Sequence, residues 1–310
     1  MSKWNGLKKL LTDRDYRTIR LAKAGVYNRL PDEAYLRKMY RARMGRPLNL
    51  DDPQLFSEKL QWLKIHDRNP LYTQLVDKYR VREYVAEKLG EEYLIPLLGV
   101  WDDPDDIDFD ALPDQFVLKC NHNSGTGMCI CRDKSKLDYD TVRSNLRKGL
   151  QENFFMKARE WPYRDVSRKV VCEQYMTDGS GTEELTDYKF FCFHGEVKCF
   201  KVDFDRFLDH GANWYDRNGN LLPFGEVSCP PCYEKKIIFP DSIQRMIAAA
   251  QTLSAGIPFV RVDLYSVNEK IYFGELTLFP ACGWGRFTDD QWDMIMGQWL
   301  KLPQNDSGQA

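Results

Sequence analysis

Residues 259–280, FVRVDLYSVNEKIYFGELTLFP, alternate apolar and polar side chains on both sides of a short polar turn. That alternation defines two paired strands and constrains the fold more than any other stretch. A hairpin symmetric about Glu269 sets Asp263 opposite Glu275 and Arg261 opposite Thr277. Alternate strand residues share a face, so all four lie on one side, while Val262, Leu264, Leu276 and Leu278 must pack on the other. Opposed carboxylates repel unless a cation lies between them, and such oxygens suit a hard ion such as Mg²⁺. The competing reading is a solvated polar face. The apolar content of both strands and the neighbouring arginine favour the metal.

The chain has 310 residues, enough for one large domain or two smaller ones, each with its own core. A net charge of −2 gives no electrostatic footing for nucleic acid. Nine scattered cysteines, an odd number, and a start (MSKWNGLKKLL) without a signal-peptide core point to a reducing cytosol. No apolar run is long enough to span a bilayer. Residues 1–30 are basic: Lys3, Lys8, Lys9, Arg14, Arg17, Arg20, Lys23 and Arg29 face only Asp13 and Asp15. With Trp4, Leu7, Leu10 and Leu11 at helical spacing, this segment either docks on its own domain or touches the inner face of a membrane.

Helical periodicity dominates residues 33–90, interrupted near Gly45, Pro47 and Pro53. FSEKLQWLKIHDR predicts a helix capped at Ser57, and VDKYRVREYVAEKLG predicts another stopping at Gly90. Strands follow at FVLKC and MCICR, joined by the loop NHNSGTG, then a helix over 138–157 and a strand at KVVCEQYM. After the loop DGSGTEEL, DYKFFCFHGEVKCFKVDFD reads as a hairpin turning at His194-Gly195. DSIQRMIAAAQTLSAG and QWDMIMGQWLKL are helical on either side of the acid-bearing hairpin, and the last residues form a frayed tail. Helices mixed with antiparallel hairpins predict an α+β fold.

Lys119 lies in an apolar strand just before a glycine-containing loop. A buried lysine needs an anion, and glycine loops let backbone N–H groups approach phosphate, although a plain hairpin tip accounts for the loop equally well. Glu173 ends the strand KVVC and Tyr175-Met176 lead out of it, where backbone groups could meet an adenine edge. Asp187 and Lys189 alternate with Tyr188 and Phe190, so they share a face. Asp187, Glu183 and Glu184 compete as the acid for ribose hydroxyls; the alternative for Asp187 and Lys189 is an edge strand with a wet face.

The succession FSEKLQWLK, DKYRVREYV, FVLKCNHNSG, EQYM, DYKFFCFHGEVK, RVDLY and GELTLFP resembles the TupA-like branch of the ATP-grasp superfamily over roughly residues 55–285. The resemblance implies an ATP-grasp fold: two α+β subdomains holding ATP in the cleft between them, here preceded by a helical segment. The expected division is 1–75 helical, 76–170 the first subdomain, 171–303 the second, and 304–310 a disordered tail. By the same resemblance, Lys119 contacts ATP phosphate, and His122, Asn123, Ser124, Gly125, Thr126 and Gly127 form a mobile phosphate-covering loop. Glu173, Gln174, Tyr175 and Met176 form the adenine hinge, Asp187 the ribose acid, and Lys189 a second phosphate contact. Asp263 and Glu275 bind Mg²⁺ with Thr277, Arg261 steadies the transferred phosphoryl group, and Lys78 is a further cleft residue. Two departures stand out: Thr277 replaces the asparagine common in ATP-grasp ligases, and the N-terminal part lacks the usual βαβ pattern.

The implied activity is an ATP- and Mg²⁺-dependent carboxylate–amine ligase that joins a uronic-acid-bearing saccharide of a surface polysaccharide to an amino acid or amine. A glycosyltransferase of capsule or O-antigen synthesis, a sugar kinase on the same fold, and a non-catalytic ATP-binding scaffold stand as alternatives. Cys229-Pro-Pro-Cys232 is one CxxC without a partner pair, which argues against structural zinc. Trp161, Tyr163, Trp214 and Trp284 are candidates for stacking on sugar rings, and Arg286 in the loop CGWGRF for a substrate carboxylate.

Overall fold

The computed structural model describes residues 3–177, 185–204 and 210–303. Glu183, Glu184 and the expected tail over 304–310 lie outside the described residues. The chain begins with helices α1 (Lys3–Thr12), α2 (Arg14–Lys23), α3 (Asp32–Met44), α4 (Phe56–His66), α5 (Leu71–Val76) and α6 (Val81–Leu89). A first sheet follows, from β1 (Leu97–Trp101), β2 (Phe116–Cys120), β3 (Met128–Cys131) and, after α7 (Tyr139–Gln151) and α8 (Phe155–Ala158), β4 (Val170–Gln174). The second sheet comprises β5 (Asp187–Phe193), β6 (Glu196–Phe204), β7 (Gly211–Asp216) and, beyond α9 (Ile243–Leu253), β8 (Phe259–Val267) and β9 (Lys270–Thr277). Helix α10 (Gln291–Trp299) closes the fold.

Both sheets are antiparallel, ordered β1-β4-β2-β3 and β7-β6-β5-β8-β9, so the α+β expectation holds. Each sheet has its own core. Phe116, Leu118, Val170 and Cys172 pack with Val142 and Leu146 of α7 under the first. Under the second, Phe190, Val262 and Leu264 share a core with Met246 and Ala250 of α9. That core also contains Tyr35, Tyr40, Phe56 and Leu63, so the N-terminal helices extend the second lobe rather than forming a separate one. The boundary expected at residue 171 would cut β4, which lies between β1 and β2; the chain leaves the first sheet only after Gln174.

Local chemistry sets several boundaries differently from expectation. Ser57 is inside α4 rather than its cap: Glu58 reaches back to the Leu55 N–H at 3.1 Å, and Asp293 of α10 accepts from the Ser57 N–H at 2.8 Å and its hydroxyl at 2.7 Å. The tie is reciprocal, since Lys59 of α4 donates to the Gly297 and Leu300 carbonyls at the end of α10, at 2.8 and 2.9 Å. A Cβ at Gly297 would meet the Gln54 carbonyl oxygen at 2.1 Å, so only glycine allows this approach. The pair Asp77-Lys78 does not sit in a continuous helix. It forms the turn between α5 and α6, where the Asp77 carboxylate accepts from the Tyr79 N–H at 2.9 Å.

Candidate active site

The second sheet places a band of charge on one face. Register pairs Asp187 with Asp203 and Lys189 with Lys201 on one side of β5, and Lys189 with Asp263 on the other. Asp263 in turn pairs with Glu275, and Arg261 with Thr277. The expected opposition is therefore present, though by a different route. The turn holds only Asn268 and Glu269, with φ of 51° and 62°, and a bulge between Asp263 and Leu264, opposite Gly274, restores the register. β5 is the central strand and wholly buried, which overturns the edge-strand reading of Asp187 and Lys189.

Buried charges persist only when paired, and these are. Lys189 Nζ donates to Asp263 Oδ2 at 2.8 Å and also to Asp187 Oδ2. Lys201 donates to Glu226 at 2.6 Å. Arg261 grips both oxygens of Asp263, Nε to Oδ1 at 2.6 Å and Nη2 to Oδ2 at 2.7 Å. The same Nη2 reaches Glu275 Oε1 at 3.0 Å and Thr277 Oγ1 at 3.1 Å. Burial pulls the Arg261 pKa down, but the charge of Asp263, its hydrogen bonds and Glu275 more than reverse this and keep the guanidinium protonated. Burial would raise the Asp263 pKa; Arg261 and Lys189 outweigh it and hold the carboxyl below its ordinary range.

The cation between Asp263 and Glu275 is thus Arg261 itself. Three oxygens, from Asp263, Glu275 and Thr277, converge on its Nη2, a positively charged stand-in at the point where those donors could hold a divalent ion. The donor set fits Mg²⁺ in chemistry. It fits in space only once the guanidinium withdraws, because Mg–O contacts are about 2.0–2.1 Å.

The first sheet presents a different surface. Lys119 donates to Glu173 Oε2 at 2.5 Å, and Arg82 of α6 to Oε1 at 3.3 Å. Register puts Lys119 beside Met128 and Val117 beside Ile130, with Glu173 beside Val117 and Leu97. Leu97, Met128 and Ile130 are exposed, at 37%, 50% and 38%, and with Val117 they form an apolar platform around one ion-pair cluster. On the opposite face of β3, Cys131 is in the core and Cys129 packs against it.

Of the expected phosphate loop, the first half is pinned. His122 is 1% exposed with its ring against the Glu152 carbonyl at 3.1 Å, and Asn123 donates to the Gly149 carbonyl at 3.1 Å. Gly127 is buried, so the tip narrows to the exposed Ser124 and Gly125 and the half-buried Thr126. Lys78 lies beneath it, donating to the Asn123 carbonyl at 2.7 Å. Burial pulls the Lys78 pKa down against the pull of Glu275, and Lys119 lowers it further, so this lysine feels both sheets. The gap lined by Lys78, Tyr163, Gly274 and Glu275 measures only about 10 Å³. Gln174, Tyr175 and Met176 leave the sheet at its rim, where they are exposed or half-buried, and Arg132 donates to the Tyr175 hydroxyl at 3.3 Å. Asp187 is 2% exposed within the charged band.

Beyond Thr277 the chain turns through Ala281 and Cys282 in the left-handed region, φ 48° and 58°. Strain of that kind gathers at functional sites. Here it aims the Cys282 carbonyl at Lys64 Nζ, 2.7 Å away. Lys64 also donates to Gln61 and to the Ala158 carbonyl, each at 3.0 Å, and lies over the Trp284 ring. Among the aromatic candidates, Trp214 is fully buried and cannot stack on a sugar, whereas Tyr163 lines the gap beside Glu275.

Sequence reasoning missed Arg82, Glu226, Lys201 and the platform residues. Only the alternation of FVLKC and MCICR carries a signal for the platform.

A model of the family described as TupA-like ATP-grasp matches residues 58–301. No curated protein matches the sequence significantly. Among solved structures, D-alanine–D-alanine ligase from Bacillus anthracis complexed with ATP is 16% identical, over 66% of this chain and 54% of that one, with a TM-score of 0.39. The Helicobacter pylori D-alanine–D-alanine ligase is 14% identical over 80% and 69%, TM-score 0.43. The ATP-grasp ligase PsnB, complexed with a phosphomimetic variant of its minimal precursor, Mg and ADP, is 11% identical over 82% and 64%, TM-score 0.38. The chain spans little more than half the length of the first of these. At such identities the similarity is one of fold and is weak.

Proposed function

The chain belongs to the TupA-like ATP-grasp family and has its α+β fold, and from that premise we propose that it is an ATP-dependent carboxylate–amine ligase acting on a uronic-acid-bearing saccharide. The observation that carries this reading is the convergence of Asp263, Glu275 and Thr277 on one cationic point, with Lys189 beside it and Lys78 between the two sheets.

The platform of Leu97, Val117, Met128 and Ile130 would cover the nucleobase, and Gln174–Met176 would meet its edge. Lys119, Lys78 and the Ser124–Thr126 backbone would hold phosphate oxygens. Asp263, Glu275 and Thr277 would hold Mg²⁺, which when bound neutralises charge on the phosphate oxygens. Arg261 and Lys189, released from Asp263, would then turn to the transferred phosphoryl group. Positioning and charge neutralisation are what phosphoryl transfer needs from a protein. In the proposed reaction a substrate carboxylate oxygen takes the γ-phosphoryl group and ADP leaves. The amine then attacks the acyl carbon, phosphate departs, and the amine nitrogen loses a proton. The gap beside Lys78 is too small for a phosphate group, so nucleotide entry at that end requires its lining side chains or the lobes to move.

The test is product analysis with Mg·ATP and a panel of uronic acids and amino acids. ADP and phosphate released only when an acid and an amine are both present supports the ligase. ADP with a phosphorylated sugar and no need for amine makes it a kinase. UDP released from nucleotide sugars without ADP makes it a glycosyltransferase. Either of the last two outcomes overturns the proposal.

A further inference from the structure

Among the described residues, one cluster of metal-ligating side chains adjoins the charged band and shares Asp203 with it. Asp203 at the end of β6, His210 just before β7 and Cys229 in the following loop bring a carboxylate oxygen, an imidazole nitrogen and a thiol within 4.8 Å of one another. We propose that these three residues form a binding site for a borderline-soft divalent ion of the Zn²⁺ class.

The geometry is more specific than proximity. His210 Nε2 stands 3.6 Å from Asp203 Oδ2. That is too long for a hydrogen bond, and a few tenths of an ångström beyond the roughly 3.3–3.4 Å between neighbouring donors of a tetrahedral ion with Zn–N and Zn–O near 2.0–2.1 Å, so a small closure would seat the ion. Cys229 Sγ sits 3.8 Å from the His210 carbonyl, placing the thiol against the same residue. Thiolate with imidazole and carboxylate selects Zn²⁺ over Mg²⁺, which prefers an all-oxygen shell. Two of the ligands are buried and His210 is exposed, so the site has a wall and an entry.

The loop bearing Cys229 is held in place independently. Asn213 of β7, fully buried, clamps Cys232 through both its backbone groups, donating to the carbonyl at 2.8 Å and accepting from the N–H at 2.9 Å. The exposed Cys232 is thus fixed through its backbone and lies outside the three-residue cluster, and the CxxC finds its metal-binding partners through Cys229, in Asp203 and His210. Lys189 and Lys201 approach Asp203 to 3.9 and 3.5 Å, but each also leans on other carboxylates, Asp187 and Asp263 for the first and Glu226 for the second.

Co²⁺ reports such a site directly, because a thiolate ligand gives an intense near-ultraviolet charge-transfer band. Titrating the full, reduced chain with Co²⁺ is expected to produce that band, with visible bands of a tetrahedral ion, and Zn²⁺ should bleach both. Cys229→Ser should abolish the thiolate band, and Cys232→Ser should leave it. His210→Gln, an exposed and fold-neutral change, should weaken Co²⁺ binding by more than about 100-fold, since even outer-shell partners of a metal are worth about 10–100-fold. No thiolate band in the full chain, or a band that survives Cys229→Ser, overturns the site. So does undiminished affinity in His210→Gln.

Discussion

The two sheets carry opposite kinds of surface. On β5, β8 and β9, Asp187, Lys189, Arg261, Asp263 and Glu275 are already bound to one another before any ligand arrives. On β2, β3 and β4, apolar side chains stand in solvent around a single cluster of Lys119, Arg82 and Glu173. One surface has met the desolvation cost of its charges through internal pairing, and a ligand must exchange partners with it. The other has left apolar area uncovered, and a ligand need only cover it. A molecule polyanionic at one end and flat and apolar at the other suits both.

The comparison breaks most decisively at the charged face. Asp263→Asn or Glu275→Gln is expected to lower ATP turnover by more than about 100-fold, the scale of losing one electrostatic stabiliser. Asp263→Asn should also cost about 3 kcal/mol in urea unfolding, because it strips Arg261 and Lys189 of their shared partner. Full turnover with lowered stability would make the band structural only. Lys119→Met should raise the ATP KM by about 10-fold or more, the worth of one charge-assisted contact to phosphate. An unchanged KM would detach the first sheet from the nucleotide. Met128→Ser with Ile130→Ser should raise the ATP KM by only about 3- to 10-fold, and leave melting nearly unmoved because both sites are exposed. A large loss of stability there would mean the platform is core.

The smallest effect on turnover is expected from Lys64, behind the second sheet. Burial pulls its pKa from 10.5 to about 8, against the opposing pull of Glu160. The native amine therefore loses its proton more readily than the unfolded one. Its penalty is complete below about pH 8 and is relieved as pH rises from about 8 towards 10.5. The wild type should gain stability over that window, up to about 3 kcal/mol from this group, and Lys64→Met should flatten the gain. Parallel pH–stability curves would refute a buried ammonium.

The hairpin register was legible because strand alternation has a period of two, and a compensating turn and bulge left the outcome intact. β7 was not read as a strand: GANWYD is buried on both faces, and a strand without a wet side has no alternation to read. Arg261 was legible as a neighbour of the acids but not as the ion between them, which depends on where its Nη2 ends up. The cap on α4 was misread for a similar reason. Ser57 is the local candidate, while the working carboxylate belongs to Asp293.

That distant cap governs the order in which the molecule can mature. During synthesis α4 emerges early, yet the acid that satisfies its first turn and the helix whose end Lys59 caps are made more than two hundred residues later. Until then the amino-terminal helices have only part of their final neighbours, and α10 arrives as a clasp that locks them to the second sheet. The nascent chain thus holds both lobes before its frame is fastened, and loss of the α10 segment would be felt first at the opposite end of the polypeptide.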